Sequence, residues 1–403
     1  MDLDQAAGNE PAAPSLDSGL LAIFAVSCGI TVANNYANQA ILGLLAEEFA
    51  LTPALVSLIP VATQVGNAAG IILIAPLGDR VEHKSLIIMT MGGLIVALLA
   101  GAMAPGFAWL AACSVLIGLF SAVTQQLVPF AVHLASPSQH GRVLGVMTGG
   151  ILTGILLARA AAGIVADLWG WRMVYWGAAG LTLATVVMLA VRLPRLAPAV
   201  NLGYFRLLQS MGTLLRSYRP LRVAITVQAL LFSAFMAFWA NLAIVFQEPS
   251  YRLGPTAIGL MAVVGAGGVL AAPLAGNFAD RKGPAAVVSA GAAVVVLAFV
   301  LLGLFQGSLA VMIVGALLMD VAVYAAHVAN WARVHALEPT AHSRLNTIFI
   351  ATMILGGACG AGAGGLAYSW WGWSGTCGYA AIAAGIAFIV SRGFPDRKPN
   401  EAR

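Results

Sequence analysis

The sequence predicts an all-α membrane protein of twelve transmembrane helices arranged as two pseudo-symmetric six-helix bundles. Three observations predict it. Of the 403 residues, 60% are hydrophobic and 9% charged, where a soluble domain carries about a quarter charged residues. Apolar runs of about twenty residues, enough to cross a bilayer as a helix, recur from end to end. The second half repeats the first at an offset of roughly two hundred residues. Strand-like alternation is absent, and only helices or closed barrels satisfy the backbone in lipid.

The elements follow in order. Residues 1–18 are acidic, contain Pro11 and Pro14, and read as a disordered cytoplasmic tail, with no basic start or cleavage pattern of a signal peptide. The N-terminal bundle, 19–192, holds spans near 20–42, 54–77, 85–104, 107–131, 143–166 and 173–192. The C-terminal bundle, 222–392, holds spans near 222–246, 255–278, 285–305, 309–331, 345–368 and 374–391. Short turns separate them at Thr52-Pro53, Pro105-Gly106, Gly254-Pro255 and Gly307-Ser308. The linker, 193–221, carries Arg195, Arg206, Arg216 and Arg219 and no acidic residue. Phe205, Leu208, Met211 and Leu215 recur at helical spacing, which fits an amphipathic helix on the inner leaflet; a disordered basic linker is the other reading. Residues 393–403 form a second cytoplasmic tail.

The repeat is clearest from Arg142 to Trp169-Gly170-Trp171, which aligns without a gap on Arg344 to Trp371-Gly372-Trp373. Gly154 meets Gly356, Gly163 meets Gly365, and Asn38 meets Asn241. Small residues at every fourth position let helix backbones approach closely in lipid. Paired bundles form sites where they meet, which makes transport the leading function.

Charge placement fixes orientation and excludes other classes. The net charge of +5 sits mostly on alternate loops, with Arg172 and Arg252 on the other set. This positive-inside bias puts both termini in the cytoplasm. No basic soluble module exists to bind nucleic acid. Cys28, Cys113, Cys359 and Cys377 lie in apolar segments without metal-ligand spacing, so no metal and no cofactor are expected.

After span two the chain reads Leu77-Gly78-Asp79-Arg80-Val81-Glu82-His83-Lys84, and after span eight Phe278-Ala279-Asp280-Arg281-Lys282-Gly283. This doubled Asp-Arg loop, with twelve spans and a central cytoplasmic linker, resembles the major facilitator superfamily, and within it the bacterial arabinose-efflux-type branch, mostly exporters. The resemblance implies the major facilitator fold, a monomer, and a bacterial plasma membrane location. It also implies conformational latch roles for Asp79, Arg80, Lys84, Asp280 and Arg281, with Arg142 and Arg344 at repeat-related positions beside them; a solvated positive-inside loop is the alternative. One departure stands out: Ala158-Arg159 occupies the place where antiporter members often carry Gly-Pro.

A charge in mid-bilayer costs roughly 2.5–3.5 kcal/mol on insertion scales, so ionisable residues inside spans are functional candidates. Arg159 lies in span five and Asp320 in span ten, where Asp320, Tyr324 and His327 share one helical face. Asp320 is the candidate proton carrier, with Arg159 and His327 as its coupling partners; a static Asp320–Arg159 ion pair is the competing account. Span one holds Asn34, Asn35, Tyr36, Asn38 and Gln39, too polar to face lipid. Gln125 aligns with His327 in the repeat. Spans one, four, seven and ten line the central cavity in the family this chain resembles. The expected solute contacts are therefore Asn34, Tyr36, Asn38, Gln125, Trp239, Asn241 and Tyr324. Interhelical hydrogen bonding is the plainer alternative for the amides.

The expected activity is proton-coupled export of a small molecule (drug, sugar or metabolite), or import of a small solute on the same scaffold, with protons or without. The expected partners are the lipid bilayer, protons and that solute. No nucleophile–base pair, metal-ligand cluster or phosphate-binding loop points to an enzyme or an ATP-driven pump.

Overall fold

The computed structural model describes residues 16–79, 81–194, 204–265, 283–338 and 341–393. Helices dominate throughout. In the N-terminal half α1 (Ser18–Ala33) runs into a short 3-10 segment (Ala37–Ile41) and α2 (Leu42–Glu48). There follow α3 (Pro53–Val56), α4 (Leu58–Leu73), α5 (His83–Ala102), α6 (Phe107–Ser121), α7 (Thr124–Leu134), α8 (His140–Trp169) and α9 (Trp171–Arg192). After α10 (Tyr204–Ser217) the second half comprises α11 (Arg219–Gln247), α12 (Pro255–Gly265), α13 (Pro284–Leu304), α14 (Leu309–His335) and α15 (His342–Arg392).

Among the described residues nine helices are long and apolar enough to cross a membrane, or ten if the bent pair α1 and α2 is one span. α15 is longer than one crossing, and it folds back. Gly372 has φ 62°, and Thr376 Oγ1 donates to Gly364 O at 3.0 Å. A straight helix would hold those two residues about 18 Å apart. α15 therefore makes two passes. α12 is the start of the remaining predicted span; residues 266–282 lie outside the described residues.

Three predicted spans prove to be broken, each for a local reason. Span one stops at Ala33, where the Asn34 amide donates to Ile30 O and Thr31 Oγ1 to Ser27 O. Such back-bonding competes with the helical ladder. Span two begins as a separate turn, because Pro60 has no N–H to give the Val56 carbonyl and α3 ends there. Span four divides at Ala122 and Val123, with Pro129 inside α7. The linker contains a helix, α10, whose Met211, Leu214 and Leu215 pack on Leu221, Leu345 and Phe349 of the second half. Its apolar side is thus docked on protein. Arg222 caps it, donating to the Leu215 and Arg216 carbonyls, as a cation at a helix C-terminus should.

Close backbone contacts assemble each half. A Cβ added to Gly154 would sit 2.2 Å from Gly29 O on α1, and one on Gly356 2.3 Å from Ala229 O on α11. The repeat-related glycines thus do the same job in both bundles. The flanks are apolar and open: Leu181, Leu183, Val187 and Val191 on α9, and Leu297, Val300 and Leu304 on α13, are exposed. Faces of this size suit lipid.

The halves meet along two seams, both tightest at the end that carries the Trp-Gly-Trp turns. At one, Gly163 and Gly259 bring α8 against α12, and Asp167 Oδ2 accepts from Thr256 N at 2.8 Å. At the other, Gly365 brings α15 against Ser57 and Pro53, and Ser369 Oγ accepts from Ala54 N at 3.0 Å. Gln247 Nε2 donates to Glu47 Oε1 at the same end.

Candidate functional site

Where the seams converge, each half contributes one buried charge. Arg159 on α8 is 3% exposed and Asp320 on α14 is 4% exposed. The Arg159 Nε donates to Gln39 Oε1 at 2.7 Å. Its guanidinium lies 4.2 Å from the Trp239 ring, 5.2 Å from Tyr36 and 5.8 Å from Phe235, in the range of cation–π attraction. Its Nη2, although buried, has no hydrogen-bond partner.

No direct ion pair joins Arg159 to Asp320. Trp239 on α11 stands between them: its face carries the guanidinium, and its Nε1–H donates to Asp320 Oδ1 at 3.2 Å. The static ion pair considered from the sequence is replaced by an indole-bridged arrangement. Asp320 also presses on α12, because a Cβ added to Gly265 would lie 2.1 Å from Asp320 Oδ2. Tyr324, one turn along α14, meets Phe235 edge-on at 6.2 Å. Arg159, Tyr36, Trp239, Asp320 and Tyr324, which come from four separate spans of the sequence, are thus brought together.

The other candidates are placed elsewhere. Asn34 and Asn38 turn into a small cavity inside the first bundle, with Thr63, Ser114 and Tyr175. There the Asn38 amide donates to Thr63 Oγ1 at 2.8 Å. Asn241 donates to Ala237 O on its own helix and packs near Gly364 of α15. These three amides sit within their own bundles and not between them. Gln125 and His327 are half-buried; the His327 ring lies tilted at 40° to Phe349, 5.4 Å away, and its Nδ1 has no hydrogen-bond partner.

The latch candidates among the described residues lie at the opposite end. Lys84 Nζ donates to Leu193 O at 2.8 Å, capping α9. Arg142 Nη2 reaches Ser18 Oγ at 3.3 Å, and Arg344 lies in the first turn of α15. Asp79 closes a 3-10 turn after α4. Arg80, Asp280 and Arg281 lie outside the described residues.

Two residues of the centre, Gln39 and Gly265, were not among the solute contacts and coupling residues expected from the sequence, although Gln39 stands in the polar run of span one. Gln39 is fully buried and its Nε2 rests on Met236 Sδ at 3.5 Å. Reading span one as continuous gives the inward face to Asn38. The break after Ala33 and the 3-10 turn, with about 120° per residue, give it to Gln39. The polar run at 34–39 was the available signal.

Two repeat-related helical bundles, lipid-facing flanks and a buried charged centre between them define a multi-pass membrane transporter. The family model described as Major Facilitator Superfamily matches residues 20–332 and 226–403, and the chain belongs to that superfamily of transporters, which are not enzymes. It is 33% identical over 384 residues to the "Uncharacterized transporter YgaY" of Escherichia coli O157:H7, covering 94% of this chain and 96% of that one. It is 25% identical over 212 residues to the "Chloramphenicol efflux pump Rv0191" of Mycobacterium tuberculosis, about half of each chain. A bacterial homologue of the human lysosomal transporter Spinster, solved in an inward-facing and occupied conformation, shares the fold. Its TM-score is 0.77 at 13% identity, over 94% of this chain and 97% of that one.

Proposed function

We propose that the chain is a secondary active transporter that moves a small molecule by alternating access, with proton movement coupled through Asp320 and Arg159. One observation carries this reading. The two buried charges come from opposite halves and are separated by a single indole ring. Any rocking of the halves changes their separation, and in a low-dielectric interior that changes the free energy of charge on Asp320 steeply. A proton taken up by Asp320 in turn loosens the hold of Arg159. Tyr36, Trp239 and Tyr324 are proposed to contact the solute, and His327, two turns from Asp320, to relay the proton. The Asp-Arg loops are proposed as latches at the opposite end.

Export is the proposed direction, on the strength of the similarity to a chloramphenicol efflux pump. The proposed setting is a bacterial plasma membrane with both termini cytoplasmic, so that the Trp-Gly-Trp end faces outward. Import together with protons is a second reading, favoured by the unpartnered Nη2 of Arg159. A negative solute seated there would favour a proton on Asp320.

The test is Asp320→Asn in proteoliposomes. It should abolish flux driven by a pH gradient while leaving the thermal unfolding midpoint near that of the parent protein. Gradient-driven flux that persists undiminished would remove Asp320 from the coupling. A proton-sensitive dye in vesicles of known orientation separates the two directions.

A further inference from the structure

We infer that the centre between the halves takes a small organic anion, whose carboxylate is received by Arg159 and whose apolar body rests on Tyr36, Phe235 and Trp239. The inference names the solute class of the proposed transport site, and so rests on that reading.

The argument starts from an unmet need. A guanidinium presents five N–H donors in a fixed fork, and burying it without a counter-charge and full hydrogen bonding is costly. At Arg159 one donor, Nε, is satisfied by a neutral amide. Nη2 is buried and bonded to nothing. The nearby carboxylate does not satisfy it, because Asp320 spends its Oδ1 on the indole N–H of Trp239 and makes no direct pair with Arg159. Proteins do not ordinarily leave a buried arginine in this state. A ligand carboxylate would complete the fork with charge-assisted bonds.

The surroundings narrow the ligand further. Three aromatic rings face the guanidinium within 5.8 Å, and Met236 lies beside Gln39 and Gln64. These surfaces accept a flat, apolar body. A cationic solute would meet Arg159 first and be repelled. The same walls keep water from competing for Nη2, which strengthens each bond made there.

The purified full chain in detergent would be titrated with 2-naphthoate and benzoate, with 2-naphthamide and benzylamine as neutral and cationic comparators. The readouts are tryptophan fluorescence and the thermal unfolding midpoint. The acids should bind roughly 10- to 100-fold more tightly than the amide, the range of a charged hydrogen bond gained. Arg159→Gln should erase that preference, Arg159→Lys should keep part of it, and Asp320→Asn should bind the acids at least as tightly as the parent. Equal binding of acid and amide, preference for benzylamine, or no response to either acid would overturn the inference. The acid-to-amide comparison needs only the parent protein, so a variant that fails to fold does not spare it. Loss of gradient-driven flux in Asp320→Asn alongside indifference to acids would leave the transporter reading standing without the anion.

Discussion

At the seam of α8 with α12, backbone meets backbone and a carboxylate caps a helix. At the seam of α4 and α3 with α15, side chains make both contacts. The two are counterparts in the repeat: Gly163 corresponds to Gly365, Asp167 to Ser369, Pro255 to Pro53 and Thr256 to Ala54. In each, the second residue of a helix has an amide N–H without an internal partner, and the opposite half supplies the acceptor. The chemistry differs. Asp167 brings a negative charge to the N-terminus of α12 and takes both the N–H and the hydroxyl of Thr256. Ser369 offers one neutral hydroxyl to Ala54 N. A symmetric plan has thus produced one strong and one weak clasp at the same end, and the weaker seam should yield first when that end opens.

The largest effect should come from joining the seams covalently. Cysteines at Ala54 and Ser369, crosslinked in a background lacking Cys359, should stop flux in proteoliposomes, and reduction should restore it. A pair at Asp167 and Thr256 should do the same. Flux that continues with either seam locked would mean that this end does not open.

Next in size are the close glycines. A Cβ at Gly163 would lie 2.2 Å from the carbonyl of Pro255, which is backbone. Gly163→Ala should cost about 1–3 kcal/mol, as overpacking does. At Gly365 the nearest atoms are the Ser57 hydroxyl at 2.3 Å, which can rotate away, and the Ser57 Cβ at 2.5 Å, which is fixed to the backbone, so Gly365→Ala should also cost about 1–3 kcal/mol. Thermal unfolding of both proteins checks this, and an unchanged midpoint in either would show that its seam has room to give.

The smallest effects concern the caps. Asp167→Ala should lower stability by about 1–2 kcal/mol, counting both cap and helix-dipole contributions, and Ser369→Ala by about 0.5–1 kcal/mol. Both should raise the rate at which a thiol reagent reaches a cysteine placed at Tyr36. A greater rise for Ser369→Ala than for Asp167→Ala would reverse the ranking of the clasps.

Much of this was legible beforehand. The bundles, the repeat and the reversals at Gly170 and Gly372 followed from apolar runs and duplicated Trp-Gly-Trp turns, since both glycines adopt positive φ (83° and 62°) that other residues avoid. Arg159 and Asp320 stood out because lipid makes charge expensive. What the sequence hid was rotation and reach. The break after Ala33 turned Gln39 inward in place of Asn38. A helical position also says nothing of how far an indole extends, so Trp239 could be counted as a wall but not as the bridge between two charges. Nor does a helical position show that the Asn241 amide closes on its own helix at Ala237.

The reversal at Gly170 has a mechanical side. α8 ends at Trp169 and α9 begins at Trp171, so one residue with two soft torsions is the whole connection. Two rods joined so tightly cannot slide lengthwise past one another at that end. The hairpin must swing as a single lever, and whatever bending the cycle requires has to be absorbed elsewhere, at breaks such as the one between α1 and α2.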